Sequence, residues 1–86
     1  MAKWEIRHWD GTSEKSVGEM PGNLSESEIL QVLQRLACMS LKPQEILSAS
    51  LRRGSRQRSA VLDRAGFGLP VQVDSGDGFY SANLVE

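Results

Sequence analysis

The sequence predicts an α+β domain in which strands from both ends of the chain form a small antiparallel sheet, with two α-helices packed on one face. Apolar and polar residues alternate over residues 3–9 and again within 69–85, with the period of two that is typical of strands. Between these segments the apolar residues recur at helical spacing. The expected order is therefore β-β-α-α-β-β, within a single globular domain at 1–86, since a chain of 86 residues has room for one core.

The N-terminal strand is followed at once by Asp10-Gly11, a dipeptide that favours a two-residue hairpin turn because glycine readily adopts positive φ. A turn at this dipeptide would set Arg7 opposite Glu14, a favourable cross-strand pair of opposite charges. We therefore expect the second strand of the hairpin at 12–17.

A long amphipathic helix is the clearest element. Ser25 and Glu28 have the spacing of a capping box, in which each side chain satisfies a backbone N–H that the helix leaves unpaired. The apolar residues behind it cover about half of the helix circumference, wider than the roughly 100° of a minimal core-facing stripe. We expect a helix over 25–39, packed against both the sheet and a second helix, with Leu33 and Leu36 buried. The stripe comprises Ile29, Leu30, Val32, Leu33, Leu36, Ala37 and Met39.

A second helix is predicted from Pro43 to about Arg53, because proline suits the first helical position, where its missing N–H costs nothing. Gly54 is placed to end this helix in the left-handed conformation. Arg52 and Arg53 would then lie in the last turn, where cations interact favourably with the helix dipole.

The C-terminal third is rich in turn residues. Residues 69–85 predict a hairpin of two strands around the turn-prone stretch at 74–78. An additional strand at 59–64 is a weaker prediction, since a short helical turn fits those residues equally well. The glycines at 66 and 68 are interpreted as part of a turn.

Composition excludes several classes of protein. No apolar run approaches the roughly 18 residues of a membrane span, and no secretory signal is expected. With one cysteine, Cys38, and one histidine, His8, a structural zinc site of the Cys/His type is excluded, and no cofactor is predicted. A single cysteine fits a reducing cytoplasm. Size alone suggests an accessory protein of bacterial or mobile-element type.

Positive charge is concentrated in residues 51–64, which we call the arginine segment and which holds five arginines against one aspartate. Four of these arginines are candidate contacts for an anion or for an acidic protein partner: Arg52, Arg53, Arg56 and Arg58. A solvated surface explains the same cluster. Nucleic acid is the less favoured ligand, because the pI of about 5.8 lies far below the value of about 9 that is typical of dedicated nucleic-acid binders.

An enzyme is the weakest class. His8 has no evident catalytic partner in the sequence and is interpreted as a packing residue. Cys38 lies on the polar side of the long helix near its C-terminus, where the dipole opposes formation of a thiolate. Neither a metal-binding set nor a phosphate-binding loop is recognised.

The two tryptophans carry the leading hypothesis. Strand alternation directs Trp4 and Trp9 to opposite faces of the sheet, so that one enters the core and the other lies at the surface or in an interface. We therefore expect a small non-catalytic interaction protein that forms a homodimer, with Trp4 and Trp9 as candidate interface residues. The alternative is an anion-binding or nucleic-acid-binding module that uses the arginine segment.

Overall fold

The computed structural model describes residues 2–52, 54–76 and 78–86, and within them it confirms the predicted α+β class and the order β-β-α-α-β-β. The elements are β1 (Lys3–Asp10), β2 (Ser13–Pro21), α1 (Glu26–Cys38), α2 (Pro43–Ala49), β3 (Val71–Asp74) and β4 (Phe79–Val85). The four strands form one antiparallel sheet in the order β2-β1-β4-β3. The N- and C-terminal strands β1 and β4 are thus neighbours at the centre of the sheet.

The turn of the first hairpin differs from the expected one. Asp10 pairs with Ser13, so Gly11 and Thr12 form the turn and the pairing of the strands is shifted by two residues from the prediction. Gly11 has φ of 61°, whereas among the described residues only glycines have positive φ, so Thr12 does not. The expected turn type needs positive φ at both central residues, and glycine at the first position alone fits the other common hairpin turn.

The second strand is also longer than the predicted 12–17, because β2 continues as far as Pro21. The pairing of β1 with β2 contains a bulge between Ile6 and Arg7, where the opposing strand gains an extra residue. Arg7 pairs with Ser16 instead of the predicted Glu14, and beyond the bulge Trp4 pairs with Met20. A bulge reverses which side chains of β2 face the core, so simple alternation could not locate the end of this strand.

Helix α1 begins as predicted. The Glu28 amide donates to Ser25 Oγ at 3.1 Å, and the Ser25 amide donates to Glu28 Oε1 at 2.9 Å, which completes the capping box. The backbone hydrogen bond from Ser25 lowers the pKa of Glu28 from its ordinary value. The principal helix–sheet contacts are those of α1 with β3 and β4.

The core lies between α1 and one face of the sheet. Leu33 is fully buried as expected, whereas Leu36 is only half-buried and packs against the margin of the core. Trp4 is 3% exposed, and its indole Nε1 donates to the Leu24 carbonyl at 3.0 Å, so the polar atom of this core residue is satisfied. The other members of the core are Ile6, Ile29, Ala37, Val71, Val73 and Ala82.

Helix α2 ends at Ala49, before the predicted end at Arg53. The Ser50 hydroxyl donates to the Ile46 carbonyl at 2.7 Å, and Arg58 Nε donates to the Leu51 carbonyl at 2.9 Å. The Leu51 carbonyl is thus bonded to a side chain, and the chain beyond Ser50 is irregular. Gly54 has positive φ but lies beyond the helix and does not end it.

Residues 59–64 do not form the predicted strand, but they contain one hydrogen-bonded turn, in which the Asp63 amide donates to the Ala60 carbonyl at 3.0 Å. Arg64 makes one isolated bridge to Val73, and the Ala65 amide donates to the Gln72 carbonyl at 2.9 Å. This segment therefore lies along the outer edge of β3. The predicted C-terminal hairpin is confirmed by the pairing of β3 with β4.

Candidate functional site

The sheet has two chemically different faces. Trp4 and Ile6 point from β1 into the core under α1, and the alternate residues of β1 lie on the opposite face. We call this opposite surface the open face. It is defined by Glu5, Arg7, Trp9, Glu14, Phe79, Ser81 and Asn83.

Trp9 is held in a defined position on the open face. It is half-buried, stacks on Phe79 with ring centroids 5.9 Å apart and planes inclined by 10°, and donates from Nε1 to Ser81 Oγ at 2.8 Å. An indole fixed in this way loses little side-chain entropy when a partner packs against it. The prediction that Trp4 and Trp9 point to opposite faces is confirmed, and Trp9 is the tryptophan that remains accessible.

Arg7 lies between two carboxylates on the same face. Its Nε donates to Glu5 Oε1 at 2.6 Å, and its Nη1 forms an ion pair with Glu14. These partly exposed pairs add little to stability because solvent screens them. Their effect is to orient the guanidinium, whose planar face can stack on an aromatic ring.

A shallow depression of about 240 Å³ lies on the open face. Trp9 and Pro70 supply its apolar lining, and charged and polar groups form the remainder. Such a mixture suits an apolar or aromatic side chain surrounded by a polar rim, the usual composition of a protein-binding surface. The lining residues are Glu5, Arg7, Trp9, Glu14, Pro70, Ser81 and Asn83.

Of the candidate arginines that the structure describes, Arg58 is engaged by a carboxylate within the same segment. Arg58 makes a two-pronged ion pair with Asp63, with Nη1–Oδ2 and Nη2–Oδ1 distances of 2.8 and 2.5 Å. Arg52 and Arg56 are exposed, and Arg53 lies outside the described residues. The ion pair of Arg58 joins two parts of an irregular segment, and no sequence pattern signals such a contact.

His8 lies on the α1 side of the sheet, not on the open face. Its ring packs against Tyr80 with centroids 4.5 Å apart, and its Nε2 lies 3.5 Å from the hydroxyl of the buried Ser75. Cys38 is a half-buried free thiol near the end of α1. Over residues 2–52, 54–76 and 78–86, no group of three or more side chains is arranged to hold a metal ion.

One feature of the surface was missed in the sequence. We call residues 66–70 the Phe67 loop. The interpretation of Gly66 and Gly68 as part of a turn does not indicate that Phe67 between them is 95% exposed. An aromatic residue between two glycines is the signal that was available.

In the described part of the chain, no helix has the length and apolar character needed to cross a membrane.

Comparison with protein families, curated proteins and solved structures finds no match to this chain. Its function is therefore argued from the chemistry of the open face. That face combines a fixed tryptophan, an oriented guanidinium and a depression beside them.

Proposed function

We propose that this protein is a small non-catalytic interaction domain that associates with a second copy of itself through the open face. The observation that carries the proposal is Trp9, which is accessible yet fixed by its stack on Phe79 and its hydrogen bond to Ser81. Tryptophan is prominent among the residues that dominate the binding energy of interfaces.

The layered architecture supports a second copy as the partner. Helix α1 covers one side of the sheet, and its packing buries the core of a domain with only 86 residues. Small domains bury a low fraction of their surface and gain stability from association. Two sheets can pack face to face at a separation of about 10 Å. In such a dimer the sheet of the second copy would cover the open face.

Charge on the open face is compatible with a two-fold axis. A symmetric dimer requires a surface that is complementary to itself. The open face carries a positive group, Arg7, between the negative groups Glu5 and Glu14. A two-fold axis can therefore set positive groups of one copy against negative groups of the other.

The competing proposal is an anion-binding or nucleic-acid-binding module at the arginine segment. Arg52 and Arg56 are exposed and support this proposal. Arg58 does not support it, because its guanidinium is already paired with the Asp63 carboxylate. For the cellular setting we propose the cytoplasm, where the free thiol of Cys38 is chemically compatible with reducing conditions.

Sedimentation equilibrium at micromolar concentration tests the proposal. The parent protein should give a mass of twice 9.5 kDa. Asn83→Lys places a cation on the open face at an exposed position, and it should weaken the dimer at least about tenfold. Gln31→Lys makes the same charge change at an exposed position of α1 and should leave the dissociation constant unchanged.

A mass of 9.5 kDa at every accessible concentration would exclude self-association. Equal effects of Asn83→Lys and Gln31→Lys would show that the copies meet elsewhere. Far-ultraviolet circular dichroism of all three proteins provides the control for folding.

A further inference from the structure

The Phe67 loop presents apolar side chains to solvent. Phe67 is 95% exposed and Leu69 is 50% exposed. The glycines on either side, Gly66 and Gly68, have φ of 73° and 80°, a conformation that other residues rarely adopt. The backbone therefore turns sharply on both sides of Phe67 and places its ring at the tip of the loop.

The base of this loop is anchored on two sides. Arg64 makes an ion pair with Glu26 of α1 at 2.9 Å, and its Nη2 also donates to the Gly68 carbonyl. The Ala65 amide donates to the Gln72 carbonyl in β3 at 2.9 Å. A loop tied down in this way is ordered before it meets a partner, which reduces the entropy lost on binding.

The loop extends from the rim of the open face. Its last residue, Pro70, lines the same depression as Trp9 and Arg7. Phe67 is three residues from Pro70 in the chain and so lies within roughly 11 Å of a residue that lines the candidate interface, a distance that one partner can span.

The open face of the sheet is small. Its four strands, which average seven residues, cover a projected area of roughly 450 Å². A stable interface buries roughly 600–1,000 Å² of accessible surface on each partner. One exposed phenylalanine can add about 150–250 Å² of buried surface, so contact through the Phe67 loop as well as the sheet enlarges the interface.

We propose that the Phe67 loop is an arm exchanged between two copies, so that Phe67 of each copy inserts into the depression on the open face of the other. This inference rests on the proposed function, because it assumes that the open faces meet. The depression of about 240 Å³ exceeds the roughly 150 Å³ cavity known to admit a benzene ring.

The lining of the depression fits an aromatic ring. Trp9 offers an aromatic surface for stacking, and Arg7, held by Glu5 and Glu14, offers the face of a guanidinium. The exposed carboxylate and amide groups around them can remain hydrated at the rim, as in other interfaces.

Substitution of the arm gives the first test. Phe67→Ala should raise the dimer dissociation constant at least about tenfold without lowering the thermal midpoint of the diluted monomer. Met39→Ala is the matched control, because Met39 is an apolar side chain that is 79% exposed and lies at the end of α1. This control should leave the dissociation constant within about twofold of the parent value.

Cross-linking gives the second test. The photoreactive analogue p-benzoylphenylalanine replaces Phe67, and isotope-labelled and unlabelled chains are mixed before irradiation. Cross-links between labelled and unlabelled chains should reach peptides of the open face, including those that contain Trp9 or Ser81. Cross-links confined to one chain, or reaching only α2 of the second copy, would overturn the exchange of arms.

The outcomes separate the two proposals. A dimer that Asn83→Lys dissociates but that Phe67→Ala leaves intact would overturn the arm and retain the open face as the interface. A parent protein that stays monomeric would overturn both proposals, and sedimentation of the parent alone identifies that case.

Discussion

The indole Nε1 of Trp9 donates a hydrogen bond to the Ser81 hydroxyl across the β1–β4 pair, with 2.8 Å between nitrogen and oxygen. Ser81 is buried although it belongs to the face opposite the core. The polar edge of the indole is thereby satisfied within the protein. A partner can then cover the exposed part of the Trp9 ring without paying to desolvate its N–H.

Removal of this hydrogen bond should destabilise the domain. Ser81→Ala leaves the partly buried indole N–H without its acceptor, and the expected loss in free energy of unfolding is about 1–3 kcal/mol. Ser16→Ala, at an exposed position of β2, is the control and should change stability by less than about 0.5 kcal/mol. Urea unfolding measures both losses, and equal values for the two variants would refute a role for the Trp9–Ser81 bond.

Truncation of the core should have a larger effect. Leu33 is fully buried between α1 and the sheet, so Leu33→Ala should cost about 2–5 kcal/mol through lost burial and the cavity that remains. Because a domain of this size has a stability near the low end of about 5–15 kcal/mol, the variant should keep only about 0–3 kcal/mol, and its thermal midpoint should fall markedly. Thermal unfolding followed by circular dichroism measures the loss. A midpoint of Leu33→Ala equal to that of the parent would contradict the central position of Leu33 in the core.

The capping box should respond to acid. The backbone hydrogen bond from Ser25 lowers the pKa of Glu28 below its ordinary value of 4.5, so the folded state favours the carboxylate. Its stabilising contribution is therefore complete above that ordinary value and is lost as the pH falls through the lowered pKa of the folded state.

Comparison with Glu28→Gln isolates this effect, because glutamine does not titrate. The difference in free energy of unfolding between the parent and Glu28→Gln should be constant near neutrality and should shift against the parent below about pH 4.5. Urea unfolding from pH 7 to about pH 3 measures it. A difference that stays the same over this range would contradict the assigned role of the carboxylate.

The elements with strong local signals were predictable from the sequence. The start of α1 follows from Ser25 and Glu28, whose side chains interact with the backbone of the same turn. The opposite orientations of Trp4 and Trp9 follow from the alternation of a strand. Both signals depend on residues close together in the chain, and both predicted features are present in the structure.

The parts that depend on distant contacts were not predictable. The bulge opposite Ile6 and Arg7 shifts the register of β2. Arg58 bonds to Asp63 and to the Leu51 carbonyl within the irregular segment after α2. Neither contact has a local pattern.

Gly78 gives a further example of a distant constraint. The sequence explains this glycine by the turn at 74–78, but a Cβ at this position would lie 2.0 Å from the carbonyl oxygen of Trp9. The close approach of two chain segments requires glycine here, and no periodic pattern in the sequence predicts that approach. The candidate interface also depends on residues that are distant in the chain, because Pro70 and Trp9 line the same depression only once the sheet has folded.

Nucleic acid should bind weakly and without sequence preference. Because Asp63 engages Arg58, Arg52 and Arg56 are the described members of the candidate set that remain exposed. Mobility-shift titrations at about 0.15 M salt should give dissociation constants of roughly 10⁻⁴–10⁻⁶ M on duplex and single-stranded probes. Sub-micromolar binding that is lost when both Arg52→Ala and Arg56→Ala are introduced would instead favour the competing proposal.

The most direct measurement of the central claim is an isotope-filtered nuclear Overhauser experiment on a dimer of one labelled and one unlabelled copy. Association through the open face predicts contacts between the indole protons of Trp9 in one copy and protons of the open face or the Phe67 loop in the other. Intermolecular contacts that involve α2 but leave the Trp9 indole without any would contradict the account, as would a sample that remains at 9.5 kDa.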